Sequence, residues 1–135
     1  MRILLNLIWL LFGGLLLALG YAVAGLICFV LIVTIPFGVA AFRMASYTLW
    51  PFGRTTVPKR SAGALTLVGN IIWFIVAGWW LALGHVLVAI VLAITIIGLP
   101  FAWAHLKLAG IALWPIGKII VPADDAPLRY PPRRT

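Results

Sequence analysis

The chain has 135 residues, of which 65% are hydrophobic and 9% charged, against about half apolar and a quarter charged in an average soluble domain. Ten Lys/Arg stand against two acids, a net charge of +8. Too little polar surface is present to cover so much apolar side chain, so the composition points to an integral membrane protein. It argues against a soluble enzyme, a nucleic-acid-binding module or a disordered tail. Both acids, Asp124 and Asp125, lie in the C-terminal tail. The apolar stretches therefore lack the carboxylates that proton pumps and paired-carboxylate hydrolases place at their working sites. Cys28 is the only cysteine, which excludes an intrachain disulfide and a Cys-based metal site. It reads as a small buried hydrophobe.

The amino-terminal run imitates a signal peptide, with Arg2, an apolar stretch and Ala18-Leu19-Gly20. The apolar stretch continues well past that point, so it is read as an uncleaved first span. From Ile3 to Phe42 it covers 40 residues, roughly 60 Å as a single helix. The hydrocarbon core is about 30 Å thick, so the run is expected to fold back. The weakest helical point near its middle is Gly20-Tyr21, and a tight turn is placed there.

The same pattern returns further along. Asn6-Leu7-Ile8-Trp9 matches Asn70-Ile71-Ile72-Trp73, Leu17-Ala18-Leu19-Gly20 matches Leu81-Ala82-Leu83-Gly84, and Pro36-Phe37 matches Pro100-Phe101. Leu49-Trp50-Pro51-Phe52-Gly53 matches Leu113-Trp114-Pro115-Ile116-Gly117, and Val57-Pro58 matches Val121-Pro122, all at one offset of 64. Matched Asn, Trp, Pro and Gly at one offset identify a tandem duplication. The expected organisation is a first repeat at 1–58, a basic cytoplasmic linker at 59–64, a second repeat at 65–122 and an irregular basic tail at 123–135. The second turn then falls at Gly84-His85, and the spans at about 3–19, 22–42, 66–83 and 86–106.

Under this hairpin arrangement all ten bases fall on one side and the outer turns carry none. The positive-inside rule makes that side cytoplasmic, with both termini on it. Two crossings per repeat make the repeats parallel, related by a pseudo-two-fold axis along the membrane normal. The outer turns are short and apolar, so re-entrant hairpins are the rival to full spanning. They require protein cover for any irregular backbone at mid-depth. Pro36 and Pro100 are expected to kink or break the second and fourth spans. Beyond Pro36, the spacing of Phe37, Ala40, Ala41, Met44, Ala45 and Thr48, with Arg43 and Tyr47 facing away, predicts an amphipathic helix along the cytoplasmic interface. The expected fold is thus all-α and polytopic: four transmembrane helices as two tandem hairpins, each followed by a cytoplasmic interfacial helix.

The candidate functional residues are few. Asn6 and Asn70 are read either as helix–helix contacts hydrogen-bonding across the pseudo-axis or as a polar constriction in a pore. Arg43 and Lys107 occupy matched positions and either contact anionic lipid head groups or form a basic ring that favours anions. His85, placed at the outer turn, is read as an interfacial histidine or a pH-sensitive group. His105 is expected to be wet. Trp50, Trp79, Trp80 and Trp114 are read as interfacial anchors. Gly14 with Ala18, and Gly78 with Ala82, form small-residue helix faces suited to close packing. No catalytic constellation, metal site or cofactor site is recognised.

Gly78-Trp79-Trp80-Leu81, His85, Ile96-Ile97-Gly98-Leu99-Pro100 and Ile111-Ala112-Leu113-Trp114-Pro115-Ile116-Gly117 closely resemble the YccF family of bacterial inner-membrane proteins. The duplicated inner membrane component domain of that family covers both repeats. In the first repeat Tyr21 replaces the His, Leu15-Leu16 replace the Trp pair and Thr34 replaces the Gly before the proline. The resemblance implies a small multi-pass inner-membrane protein without an assigned activity and without catalytic residues to carry over. The expected function is a structural or accessory membrane component, not an enzyme. The alternative is a homo-oligomeric channel or transporter with a mild anion preference. The expected partners are the lipid bilayer with its anionic head groups, and a second copy or another membrane protein; nucleic acid is not among them.

Overall fold

A computed structural model describes residues 1–32, 34–59 and 63–129. Arg60 of the basic linker, and Arg133 and Arg134 of the tail, lie outside the described residues. In chain order the elements are α1 (Arg2–Trp9), a π-helical turn (Leu10–Gly14), α2 (Leu15–Val30), α3 (Ile35–Leu49) and β1 (Arg54–Pro58). The second repeat follows with α4 (Ala64–Trp73), a π-helical turn (Phe74–Gly78), α5 (Trp79–Ala93), α6 (Leu99–Leu113) and β2 (Lys118–Pro122). A short α7 (Ala126–Arg129) closes the described chain. Two long apolar helical runs result, Arg2–Val30, which is kinked at Phe12-Gly13, and Ala64–Ala93.

The hairpins turn later than expected. Gly20 and Gly84 lie inside α2 and α5, where they receive side chains of the other repeat: Leu81 stands over Gly20 and Leu17 over Gly84. These glycines let two helices approach, and do not end either one. The chain reverses instead between α2 and α3 and between α5 and α6, so the spans drawn at 3–19, 22–42, 66–83 and 86–106 are replaced. Pro36 and Pro100 kink nothing, because each sits in the first turn of α3 or α6. The missing N–H falls there where an intrahelical partner is absent anyway.

Among the described residues no separate interfacial helix follows the first hairpin, and only the short α7 comes after the second. Phe37 to Thr48 belong to α3, which packs back along α2. Tyr47 does not face away, being only 3% exposed. After Trp50-Pro51 and Trp114-Pro115, Gly53 (φ 96) and Gly117 (φ 88) adopt left-handed backbone, a region glycine enters without steric penalty. The chain leaves each turn as a strand. Thr55-Thr56-Val57 and Ile119-Ile120-Val121 are β-branched and suit a pleated ribbon. The fold is therefore helical with one two-stranded antiparallel ribbon, and not all-α. The tail segment Ala123–Asp125 is likewise a hydrogen-bonded turn leading into α7. Arg2 pairs with Asp124 at 2.8 Å, and its hydrogen bonds and charge hold the Asp124 carboxyl below the usual carboxylate range.

The contacts swap counterparts at the 64-residue offset. Leu17 meets Gly84 while Leu81 meets Gly20. In the ribbon Arg54 pairs with Pro122 and Pro58 with Lys118, and Thr56 faces its own counterpart, Ile120. Such reciprocity defines a pseudo-two-fold axis, which passes through the ribbon centre and between α2 and α5. The expected parallel relation does not hold at that crossing. Gly13 lies under Val88, Leu17 against Gly84 and Gly20 against Leu81. Residue numbers fall along α5 as they rise along α2, so these two helices pass antiparallel. One core serves both repeats, built around Trp9, Tyr21, Ala41, Trp73, Leu81 and Ala112.

The repeats part at residue 13. Gly13 has φ 106, and a Cβ there would stand 2.9 Å from Val88 Cγ1, whereas its counterpart Ala77 keeps negative φ. Gly13→Ala should lower the midpoint of thermal unfolding in detergent, with a backbone penalty of about 1–3 kcal/mol. Gly13→Ala with Val88→Ala should recover only part of that loss, since the added space leaves the dihedral penalty in place.

Candidate functional site: a buried histidine pair at the repeat interface

Each repeat uses one Asn and one Trp to bind its hairpin shut. Asn6 Nδ2 donates to the carbonyls of Arg2 (2.9 Å) and Phe52 (3.0 Å), while its Oδ1 accepts from the Phe52 N–H at 3.0 Å. Asn70 makes the same set with Thr66 O (3.0 Å), Ile116 O (2.8 Å) and Ile116 N–H (2.9 Å). One turn on, Trp9 Nε1 donates to Thr48 O at 2.6 Å and Trp73 Nε1 to Ala112 O at 2.8 Å. The last carbonyls of a helix lack intrahelical donors, and the indoles supply them at the ends of α3 and α6. All four side chains are fully buried or nearly so. The two asparagines do not hydrogen-bond to each other; each holds the Trp-Pro-x-Gly turn of its own repeat.

The histidines lie elsewhere than the sequence pattern suggests. His85 is not at a turn, and His105 is not wet: both are 0% exposed, on α5 and α6. Their Nδ1 atoms are 3.0 Å apart. His105 Nε2 is 3.1 Å from the Phe12 carbonyl and His85 Nε2 is 3.4 Å from the Tyr21 hydroxyl. Trp9 stacks on the His105 ring at 4.0 Å between centroids. The Phe12 carbonyl is available because Phe12 and Gly13 leave helical geometry within the π-helical turn. Tyr21 and His85 are counterparts at the 64-residue offset and meet at the pseudo-axis.

The protons in this chain follow from its ends. A carbonyl only accepts, so His105 carries its proton on Nε2. Its Nδ1 is then the acceptor, so His85 donates from Nδ1. That leaves His85 Nε2 to accept from the Tyr21 hydroxyl. Both imidazoles are neutral, as opposite tautomers, and every donor points the same way from Tyr21 towards Phe12. Adding a proton to His105 Nδ1 would set N–H against N–H across 3.0 Å, and adding one to His85 Nε2 would remove the acceptor that faces the Tyr21 hydroxyl.

The remaining sequence candidates are scattered. Arg43 and Lys107 are exposed at matched positions on α3 and α6. Arg43 lines a hollow with Thr56, Lys118 and Ile120; Lys107 lines one with Gly53, Arg54 and Pro100. Trp79 and Trp80 donate one turn back along their own helix, to Ile75 O (3.2 Å) and Val76 O (3.0 Å), and Trp50 and Trp114 are partly exposed after α3 and α6. Gly14 and Gly78 lie beside the clasping indoles Trp9 and Trp73. Tyr21, His105 and the Phe12 carbonyl went unread as a unit. With His85 they belong to four elements, and only the Tyr21/His85 match at one offset links any of them in the sequence.

Asn6→Ala strands two carbonyls and an N–H at a buried turn, so it should destabilise by about 2–4 kcal/mol. Asn6→Asp should also destabilise, because a carboxylate cannot donate to the Arg2 and Phe52 carbonyls. Asn70→Ala and Asn70→Asp should behave alike, all four being read by thermal unfolding in detergent. For the histidines, ¹⁵N chemical shifts of the reconstituted protein should show His85 protonated on Nδ1 and His105 on Nε2. The reverse pair of tautomers would contradict the chain.

No solved structure matches the chain. Residues 4–54 and 68–118 both match the YccF family, described as the inner membrane component domain. The two segments are again offset by 64 (68 − 4). The inner membrane protein YccF of Escherichia coli (strain K12) is 36% identical over 135 residues, covering 93% of this chain and 91% of the relative. The protein of the same name from Shigella flexneri matches to the same extent. Two tandem family matches and this identity over nearly the whole chain place it in the YccF family of inner membrane proteins.

Proposed function

We propose that this protein is a structural or accessory component of the bacterial inner membrane, neither an enzyme nor a pore, with both chain ends on the cytoplasmic face. The observation that carries the reading is how its interior polar side chains are used. Asn6, Asn70, Trp9, Trp73, His85 and His105 are all engaged in closing hairpins or joining the repeats. A polar constriction needs amide or imidazole groups free to face water or an ion, and these are committed to backbone or to each other. The Arg2–Asp124 pair supports the shared side of the two ends. The excess of bases supports assignment of that side to the cytoplasm.

The test is a planar-bilayer recording of purified protein under a KCl gradient, with incorporation verified by flotation of proteoliposomes. Silence across several pH values is expected. Unitary currents whose reversal potential changes with Arg43→Gln or Lys107→Gln would overturn the reading in favour of an anion-preferring pore.

A further inference from the structure

We infer that the two hairpins lie within the cytoplasmic leaflet, antiparallel to one another beneath the basic ribbon, and do not cross the bilayer. The inference rests on the reading of the chain as a membrane component and specifies how it meets lipid.

Direction comes first. The pseudo-two-fold axis passes through the centre of the ribbon, Thr56 opposite Ile120. It also passes between α2 and α5, which pair antiparallel through Gly13 with Val88, Leu17 with Gly84 and Gly20 with Leu81. An axis relating antiparallel helices runs across them, not along them. The ribbon and its approaches carry Arg54, Lys59 and Lys118, and such charges are costly at mid-bilayer. The ribbon is therefore the polar end of the axis, the axis is the membrane normal, and α2 and α5 lie close to the membrane plane.

Depth agrees. Pro100, in the first turn of α6 and next to the tip of its hairpin, lines the same hollow as Gly53 and Arg54. Phe101 packs on Phe52 at 5.8 Å. Arg43, midway along α3, lies against Thr56, Lys118 and Ile120. Helices rising steeply from the ribbon would carry these residues away from it. With 15 residues each, α3 and α6 reach only about 22 Å, short of the roughly 30 Å core.

The tips complete the case. Ile94 and Ile96 are 81% and 86% exposed, and residues 29–36 and 92–100 contain no charge, Trp or Tyr to mark a far interface. Their hydroxyls turn inward: Thr34 Oγ1 donates to Cys28 O at 2.7 Å and Thr95 Oγ1 to Leu92 O at 3.0 Å, with Gly98 N–H donating to Thr95 Oγ1 at 3.0 Å. The Ile32, Ile35, Thr95 and Leu99 amides are bonded within the turns. Amides bonded this way can rest in hydrocarbon. Arg43, Arg54 and Lys118 then stand at the level of the head groups, where anionic lipid is the matching surface.

The test uses full-length protein with Cys28→Ser and a single cysteine at Ile32→Cys, Ile96→Cys or Lys59→Cys. In intact spheroplasts an impermeant maleimide is expected to label none of them; after lysis it should label Lys59→Cys alone. Bimane at positions 32 and 96, in vesicles of phosphatidylethanolamine and phosphatidylglycerol, should be quenched more by nitroxide on the acyl chain than by nitroxide on the head group. Labelling of 32 or 96 from the periplasmic side, or stronger head-group quenching there, would overturn the single-leaflet arrangement. Either result would leave the accessory reading standing, whereas channel currents would sink that reading without touching the geometry of the hairpins.

Discussion

The fold depends on holding backbone polar groups at hairpin ends where little water is available to do so. Asn6 and Asn70 each occupy three hydrogen-bonding groups of a turn and the helix start beside it. Trp9 and Trp73 then close the last carbonyls of α3 and α6. A buried unpaired donor or acceptor costs about 1–3 kcal/mol, so a lost clasp exposes several such groups together. Because the clasp sets where α3 and α6 end, it also sets where the chain enters the ribbon. Through the ribbon it sets how the repeats face each other.

Duplication supplied two copies of that clasp, and divergence placed something new between them. Where the first repeat carries Ala41, the second carries His105; where the second carries Ala77, the first carries Gly13. The pair is complementary. Gly13 lets the helix open at Phe12 and frees a carbonyl, and His105 of the other repeat fills it. Neither change has a purpose alone, and together they turn a symmetric contact into a directional chain from Tyr21 to Phe12. A neutral, oriented chain of this kind rigidifies the interface and specifies one register of the repeats.

The apolar exterior has a separate logic. Side chains such as Leu11, Leu16, Val30, Leu65 and Val91 are strongly exposed, which water would not tolerate in a contiguous field and lipid accepts. Arg2, Arg43, Arg54, Lys107 and Lys118 gather around the ribbon and its turns. Such a molecule is amphipathic as a whole, although α2 and α5, taken one at a time, are apolar nearly all round.

The duplication and the membrane environment were legible from residue types and spacing, and the family from the resemblance carried by Gly78 to Leu81 and Ile111 to Gly117. Each depends on composition or on matched residues along the chain. The all-α expectation missed the ribbon, although β-branched triplets follow both Trp-Pro-x-Gly turns. The turn positions were not legible, because Gly20 and Gly84 satisfy a local rule for helix breaking and are used for packing between helices, a choice that only the facing Leu81 and Leu17 decide. The same holds for Pro36 and Pro100, whose effect depends on whether a helix is already running when they arrive. His85 and His105, taken singly, pointed towards a turn and towards water. Their burial follows from the antiparallel passage of α2 and α5, which brings Tyr21, Phe12 and both imidazoles to one point. Local pattern decided what each segment is; tertiary structure decided which polar groups meet, because a buried donor must find its acceptor wherever packing places one.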